Sequence, residues 1–501
     1  MKKIKTSLSK KAPDEYLGDN LMIILRGASK ELDEYIDTLD SRISNLISDH
    51  ISDGNFSGAE GETTVLTLPA ELPFRRIILA GAGNDNSFNN NSLRKAVSSG
   101  IRQAERFGGK SGIYISGFQQ FTDSAKMVFT VFEASFLALY RFDLYKSTIN
   151  KTPKKSISAI SLLLPGKKIP ASLSKSIDEA RTICEAVYFG RDIINLPAND
   201  FNTGDFAAEA RKIGRKANVK TTVYKEAQLK RMGMNAVLSV GRGSENPSML
   251  ITMEYNGGKQ NGKPLVMVGK GVTFDSGGLS LKSAANMVEM KQDMGGAGVV
   301  MSAFKAAVEL QLKINLVAII ATVENMPSGS AYRPSDVIKT HSGLTVEIIN
   351  TDAEGRLILA DALSYSKKFK PSAVIDVATL TGASKVALGT VGCAVMSFHK
   401  DLIEKIYHAS ENTDEKAWEL PLWDEFNKQI KSDIADFKNS GGREGGAITA
   451  GLFLSKFIEG EKWAHIDMAN VDYAYSETPI TRKGASGFGI RLLVDFLKNW
   501  K

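Results

Sequence analysis

Two separated stretches of this chain contain charged side chains that could act together, and we select four carboxylates, two amines and a guanidinium from them. The first, KGVTFDSGGLSLKSAANMVEMKQD, begins at residue 270, and the second, NTDAEGRL, begins at residue 350. Four acids that converge on one point repel each other unless a cation lies among them, and oxygen-rich sets suit Mg, Mn or Zn ions. With enough ligands for two ions, these stretches predict a two-metal hydrolytic centre. The side chains concerned are Lys270, Asp275, Lys282, Asp293, Asp352, Glu354 and Arg356.

Both stretches follow apolar runs that are typical of buried strands. VMVG precedes Lys270 and TVEII precedes Asn350, so we expect both acidic clusters just past the carboxyl ends of strands. Open α/β sheets bind their ligands at that edge. The alternatives are that Asp-x-Glu is a solvated turn and that the lysines are surface residues. The strand context favours a site over both alternatives.

Strand and helix patterns alternate along most of the 501 residues, which are 43% hydrophobic and 24% charged. This composition is that of a soluble globular protein with two or three domains. The alternation predicts an α/β fold of two α/β domains, a smaller N-terminal one at 1–165 and a larger C-terminal one at 195–501. A long helix at 166–194 is expected to bridge them. For the larger domain the pattern favours a mostly parallel central sheet flanked by helices.

Several sequence words in the C-terminal part resemble the signatures of the leucyl (cytosol) aminopeptidase family. NTDAEGRL is the most specific, followed by VGKGVTFDSGG and MKQDMGG, and IDVATLTGA, GGREGGAITAGLFL and WAHIDMA extend the likeness. The resemblance covers the chain well from Asp192 onward and the first third weakly, where FEASFLALYRFDLYKS matches best. It implies a metal-dependent aminopeptidase that releases N-terminal, leucine-like apolar residues from peptides with a water activated by two metal ions.

The resemblance implies two divalent ions per subunit, Mn or Zn or alternatively Mg. Asp275 and Glu354 would bridge the ions. Lys270 is the unusual ligand, because an amine must lose its proton to bind a metal, at about 1.4 kcal/mol per unit of pKa depression. Neighbouring dications and burial both favour that loss. The implied metal ligands are Lys270, Asp275, Asp293, Asp352 and Glu354.

Two charged residues of the motifs remain as implied catalytic groups. Lys282 would polarise the scissile carbonyl and stabilise the developing oxyanion. Arg356 would hold a bicarbonate that carries a proton from the water to the leaving amine, since its planar fork binds a planar oxyanion in bidentate fashion. The alternative for Arg356 is an arginine in the first turn of a helix that pairs with Glu354.

The same family pattern implies residues that contact the substrate. Thr379, Leu380 and Gly382 match its substrate-contacting loop, and Met290 and Ala450 are expected near an apolar pocket for the N-terminal side chain. The alternative for Met290 and Ala450 is a place in the core. Two departures from the family pattern fall nearby. Ser283 stands where proline is usual, and NVDYAY follows Ala469 where the family usually has Gly-Thr-Ala-Trp.

Charge and cysteine content bear on partners and compartment. The two cysteines cannot build a disulfide framework, and no apolar segment follows the basic start of the chain, so we expect a cytoplasmic protein without a signal peptide. No apolar run is long enough to cross a membrane. The resemblance implies peptide substrates and a homohexamer built as a dimer of trimers. The net charge of +7 permits secondary DNA binding, although no nucleic-acid motif is present.

Other functions are weaker alternatives. A DNA-binding regulator would use the basic surface, and a two-metal phosphoesterase would use the same ligand chemistry. The five histidines include no His-Glu-x-x-His pair, and the chain has no Gly-x-Ser-x-Gly elbow, so those two hydrolase classes are less favoured. His465 lies in a strand-like run, and we expect it in the core rather than on a metal.

Overall fold

The structure is a computed structural model that describes residues 4–27, 32–69, 72–84, 88–121, 123–147 and 155–500. The contacts divide the chain into two compact units. One comprises Met1–Glu185 with Tyr475–Lys483, and the other comprises Ala186–Ala474 with Gly484–Lys501. Among the described residues no helix has both the length and the apolar character needed to cross a membrane.

The first unit is built on one sheet whose strands alternate with helices. Its elements are β1 (Lys5–Ser9), β2 (Asn20–Leu25), α1 (Glu34–Arg42), α2 (Leu46–Ser52), β3 (Thr63–Thr67), β4 (Arg76–Gly81), α3 (Asn90–Phe107), β5 (Gly109–Ile115), α4 (Ser124–Ala138) and β6 (Ile157–Leu163). Within the described residues, six strands pair in the order β1-β6-β5-β2-β4-β3. Of the strands that the structure describes in this sheet, β3 alone is antiparallel to its neighbour. β2 is buried at all six positions, as the near-continuous apolar run NLMIIL predicts.

The second unit follows the long helix α5 (Ala171–Asn195), whose residues are shared between the two units. Its elements are α6 (Thr203–Ile213), β7 (Val219–Lys225), α7 (Glu226–Met232), α8 (Asn235–Gly241), β8 (Met249–Asn256), β9 (Leu265–Asp275), α9 (Ala284–Met287), α10 (Gly295–Glu309), β10 (Asn315–Asn325), β11 (Val337–Lys339), β12 (Thr345–Glu347), α11 (Gly355–Ser366), β13 (Ala373–Ala378), α12 (Gly382–Leu388), β14 (Gly392–Met396), α13 (Lys400–Thr413), β15 (Lys416–Glu419), β16 (Phe437–Lys438), α14 (Gly446–Ser455), β17 (Trp463–Asp467), β18 (Tyr473–Ala474), β19 (Gly484–Ala485) and α15 (Ile490–Lys498).

A central sheet organises the second unit. Across the part of the chain that is described, its eight strands follow the order β15-β14-β17-β13-β9-β10-β8-β7. Four of the seven pairings are parallel, and the three antiparallel ones join β14 to β17, β10 to β8 and β8 to β7. The sheet is therefore mixed. The predicted α/β class with a larger C-terminal sheet domain is confirmed.

Helices cover both faces of this sheet because successive side chains of a strand point to opposite faces. Val266 and Val268 of β9 pack into one apolar cluster with Leu357 of α11 and Phe453 of α14. On the other face, a methyl group at Gly269 would lie 2.6 Å from the Cα of Ala297 in α10. The missing side chain at Gly269 therefore permits the close approach of α10.

The strands around the two acidic stretches differ from the prediction in two ways. β9 does not end before Lys270 but continues to Asp275, because β10 pairs with it through Ala321 opposite Lys270 and Asn325 opposite Asp275. The TVEII run contributes β12, which pairs with β11 and β16 in a separate small sheet. NTDAEGRL therefore does not follow a strand of the central sheet.

Candidate active site

Three segments of the second unit bring the predicted charged residues together. β9 carries Lys270 and Asp275. Asp293 follows a single 3-10 turn, Met290–Gln292, immediately before α10. Asp352 and Glu354 lie just before α11. Side-chain oxygens of Asp275, Asp293 and Glu354 lie within 4.8 Å of one another, and all three residues are buried.

Lys270 is the cation at the centre of this cluster. Its Nζ lies 2.6 Å from Asp293 Oδ1 and 2.9 Å from Glu354 Oε1, and it donates to the carbonyl oxygen of Thr379 at 2.9 Å. The residue is only 2% exposed. Burial alone would lower the pKa of Lys270, but the charges of the surrounding carboxylates outweigh it and raise the pKa above its ordinary value.

Burial and mutual repulsion make the carboxylates hard to ionise together. Burial first, and then the charge of Glu354, raises the pKa of Asp275 to about 7 and that of Asp293 well above its ordinary value. Burial acts in the same direction on Glu354, but Lys270 and Lys282 lower the pKa of that carboxyl overall. The cluster thus holds more buried acids than lysines, and a bound cation would offset the cost of ionising those acids together.

The loop after β9 carries Lys282 back to the acids. Gly277 and Gly278 have φ of 85° and 64°, and a side chain at Gly277 would lie 2.5 Å from the carbonyl oxygen of Ser280. The Thr351 hydroxyl donates to the Gly277 carbonyl at 2.6 Å and fixes this loop beside the second acidic stretch. Lys282 Nζ then lies 2.8 Å from Asp275 Oδ2 and 2.5 Å from Asp352 Oδ1.

Arg356 is buried in the first turn of α11. Its Nη1 donates to the carbonyl oxygen of Asn439 at 2.9 Å, whereas its Nε finds no hydrogen-bond partner among the described residues. Burial lowers the pKa of Arg356 to about 10, against the opposing charges of Glu354 and Asp467. Within the described structure no ion pair joins Arg356 to Glu354 at 4.0 Å or less, so the alternative pairing is not present.

The segment after β13 is fixed beside this cluster from two sides. The Thr379 hydroxyl donates to Asp293 Oδ1 at 3.0 Å, and its carbonyl accepts from Lys270. On the other side, the amide of Leu380 and the hydroxyl of Thr381 donate to Asp467 at 3.1 and 2.6 Å. The described contacts therefore join the predicted substrate loop directly to Lys270 and Asp293.

The two remaining predicted substrate residues differ in position. Met290 begins the 3-10 turn that leads to Asp293 and is partly exposed. Ala450 is completely buried in α14, whose first residue, Gly446, lies close to Ala383 of α12. Contact of either side chain with a substrate stays a prediction.

Two residues of the site were not predicted from the sequence. Asp467 ends β17 and orients the loop through Leu380 and Thr381, and the WAHIDMA word contains it without indicating that contact. Asn439 donates to the Asn350 carbonyl at 2.6 Å and accepts from Arg356. It stands just outside the GGREGG word, and nothing in its local sequence singles it out.

Comparison with known proteins follows the same division into two parts. A family model described as the catalytic domain of the cytosol aminopeptidase family matches residues 188–494, and the model of the N-terminal domain of that family matches residues 24–148. The chain belongs to the cytosol aminopeptidase family. The resemblance stated from the sequence words is thereby confirmed, and the chain is grouped with aminopeptidases, which are hydrolases.

Relatives of this chain match it over nearly their whole length. A probable cytosol aminopeptidase of Syntrophotalea carbinolica is 41% identical over 92% of this chain and 93% of its own, and one from a Geobacter species is 40% identical over 88% and 89%. A solved structure of a tomato leucine aminopeptidase mutant has a TM-score of 0.90 at 30% identity and covers 99% of this chain and 97% of its own. The bottromycin maturation enzyme BotP, solved in complex with Mn, has a TM-score of 0.82 at 29% identity, with coverages of 96% and 99%.

His465 belongs to a buried polar network beside this site. Its Nδ1 lies 2.6 Å from Asp376 Oδ1, and Trp463 Nε1 donates to the other oxygen of Asp376 at 2.6 Å. Burial would lower the pKa of His465, but Asp376 outweighs it and raises the pKa. All three side chains project from paired positions of β13 and β17, so His465 lies in the sheet core.

Proposed function

We propose that this chain is a two-metal aminopeptidase that releases N-terminal residues with apolar, leucine-like side chains from peptides. The observation that carries the proposal is the convergence of Asp275, Asp293 and Glu354 within 4.8 Å, beside a loop bonded directly to Lys270 and Asp293. A free peptide amine is a ligand that such a centre can bind, so an N-terminal residue is the part of a peptide that it would fix. Membership of the family supports this reading.

The donor set fits divalent ions. Asp293 Oδ2 is buried without a hydrogen-bond partner in the described part of the chain, and the surrounding acids outnumber the lysines. A divalent ion would satisfy both this oxygen and the charge. Two such ions supply Lewis acidity and a more acidic water when bound. Mn or Zn, and alternatively Mg, are the proposed ions, and the Mn complex of BotP supports Mn. The proposed ligands are Lys270, Asp275, Asp293, Asp352 and Glu354.

The residues that are not ligands have roles of their own in this proposal. Lys282 donates a hydrogen bond to the carbonyl oxygen of the scissile peptide and stabilises the charge that develops there. Its side chain is 15% exposed, in contrast to the enclosed Lys270, so a substrate can reach it. Arg356 holds a planar oxyanion, for which we propose bicarbonate, and its unpartnered Nε is available for that contact.

The substrate loop would position the N-terminal residue. In this proposal the substrate side chain contacts Thr379, Leu380 and Gly382 of the loop. Met290 and Ala450 complete the apolar pocket around that side chain. The bonds from Thr379 to Asp293 and from Leu380 to Asp467 support the assignment, because they hold the loop at a fixed distance from the carboxylates. A preformed loop of this kind avoids the entropic cost of ordering it on binding.

Hydrolysis of leucine p-nitroanilide tests the proposal. We expect activity that is lost after treatment with a chelator and restored by Mn or Zn. Asp401→Asn serves as a control, because Asp401 is an exposed acid paired with Lys462. This replacement removes one negative charge without altering the site. A metal-reloaded protein that cleaves no amino-acid anilide, or that cleaves a phosphate ester instead, would contradict the proposal.

The assembly and secondary partners remain predictions. A homohexamer is tested by sedimentation of the full chain. DNA binding predicts an affinity that falls steeply with salt, and absence of binding at low salt would rule it out. We also propose 1–165, 166–194 and 195–501 as domain bounds, which limited proteolysis tests through the positions of the first cuts.

A further inference from the structure

Asp472 is a buried acid beside the substrate loop that none of the roles above uses. It is 3% exposed, and its Oδ2 has no hydrogen-bond partner among the residues that the structure describes. Its backbone is fixed, since its amide donates to the Met468 carbonyl at 3.1 Å and its carbonyl accepts from the Ser486 amide at 2.8 Å. A buried carboxylate oxygen without a donor carries a desolvation cost that a donor from a ligand would offset.

The orphaned oxygen borders the predicted substrate contacts. A methyl group at Gly295 would lie 3.5 Å from Asp472 Oδ2 and 3.1 Å from Thr379 Cγ2. Both atoms therefore lie close to the position that a Cβ of residue 295 would take at the start of α10. Because residue 295 is glycine, no side chain fills that point. The carboxylate thus lies on the side of Thr379 that the loop presents toward α10.

A second acid acts on the same corner of the unit. Burial first, and then the charges of Glu289 and Asp472, raise the pKa of Tyr473, the residue that follows Asp472. Glu289 directly precedes Met290 of the proposed apolar pocket. The charges acting on Asp472 are those of Asp467, Lys270 and Lys385, and Oδ2 bonds to none of these groups.

We infer that Asp472 is a specificity-determining residue that receives the cationic end of an N-terminal lysine or arginine side chain. The inference rests on the proposed aminopeptidase function and refines its substrate class. The aliphatic stem of such a side chain packs against Met290 and Thr379 as leucine would, while its charged end reaches the carboxylate. The acid at position 472 is part of the NVDYAY segment, which departs from the Gly-Thr-Ala-Trp that is usual in the family pattern.

The test compares side chains that share a stem and differ in charge. The full chain, reloaded with Mn, is assayed on lysine, norleucine and leucine p-nitroanilides, since norleucine has the stem of lysine without its ammonium group. We expect kcat/KM for lysine to exceed that for norleucine in the native chain. In Asp472→Asn this ratio should fall about 10²-fold, within the range for removing one partner of a buried charge pair. Asp401→Asn should leave the ratio as in the native chain.

The outcomes separate this inference from the function on which it rests. A native chain that prefers norleucine or leucine to lysine overturns the inference alone, and so does a ratio that is the same in Asp472→Asn. Should Asp472→Asn not fold, as judged by circular dichroism, the native ratio of lysine to norleucine decides by itself. Failure to cleave any of the three anilides overturns the proposed function and the inference together.

Discussion

Replacing Lys282 and Lys270 by alanine, one at a time, tests the division of roles between the two lysines. Lys282 is the more accessible, and its Nζ lies 2.8 Å from Asp275 Oδ2 and 2.5 Å from Asp352 Oδ1. As the proposed donor to the carbonyl oxygen, it acts mainly in the transition state. Its loss should lower kcat by about 10²–10³, equivalent to about 2.7–4 kcal/mol, and change KM less.

The amount of bound metal should stay normal in Lys282→Ala and fall in Lys270→Ala. Removing the Lys282 ammonium takes a cation away from Asp275 and Asp352, so their attraction for a divalent ion is not reduced and the bound metal should stay near normal. Removing Lys270 takes away a proposed ligand that contacts Asp293 and Glu354 at 2.6 and 2.9 Å. Activity of Lys270→Ala should therefore depend steeply on added metal.

Bound metal measured by elemental analysis, together with kcat and KM on leucine p-nitroanilide, decides between the roles. Lys282→Arg is the stringent control, since a planar guanidinium does not replace a compact ammonium and should not restore kcat. The reasoning is refuted if Lys282→Ala loses an ion while Lys270→Ala keeps both, or if kcat of Lys282→Ala stays within about threefold of the native value.

Three further predictions concern positions around or away from the metal ligands. Asp467→Asn should raise KM and lower kcat together, because Leu380 and Thr381 lose their shared acceptor, and unchanged kinetics would contradict a positioning role. Arg94→Met should destabilise the first unit by about 3–5 kcal/mol in urea unfolding, because Glu133, 2.8 Å away and equally buried, would lose its ion pair with the Arg94 guanidinium. Adding Glu133→Gln should recover part of the loss. Burial, with a smaller effect of Lys368, lowers the pKa of His341, so the folded chain binds its proton less tightly than the unfolded chain. The free energy of unfolding should therefore fall as pH drops below the ordinary histidine pKa of about 6.5, and His341→Gln should remove that part of the pH dependence.

The acidic residues were predictable because the sequence motifs that contain them are specific. The strands that position these residues were not predicted correctly. The apolar run before Lys270 stops at Gly269, so local pattern ends the strand there, but pairing with β10 carries it five residues beyond Lys270. Tertiary pairing overrides local propensity in such cases. TVEII likewise indicates a strand without indicating which sheet it joins.

The partners of buried acids are also not predictable from the local sequence. Asp376, Asp467 and Asp472 all stand in apolar surroundings of the sequence, and nothing local states which partner each one has. Only the register that sets Asp376 beside His465 reveals the first partnership. The unpartnered oxygen of Asp472 depends on how the segment after β17 turns back toward α10, which is a property of packing rather than of spacing.

The network of Asp376 with Trp463 and His465 has a consequence for folding fidelity. If β17 slipped by one residue against β13, the indole and imidazole would turn to the opposite face, and Asp376 would be enclosed without either donor. A misregistered intermediate would bear the cost of an isolated charge, which a purely apolar strand pair would not impose. Correct alignment also brings Asp467, two residues beyond His465, to the loop that it orients. The polar network therefore disfavours misregistered strands, in which the substrate loop would lose its bonds to Asp467.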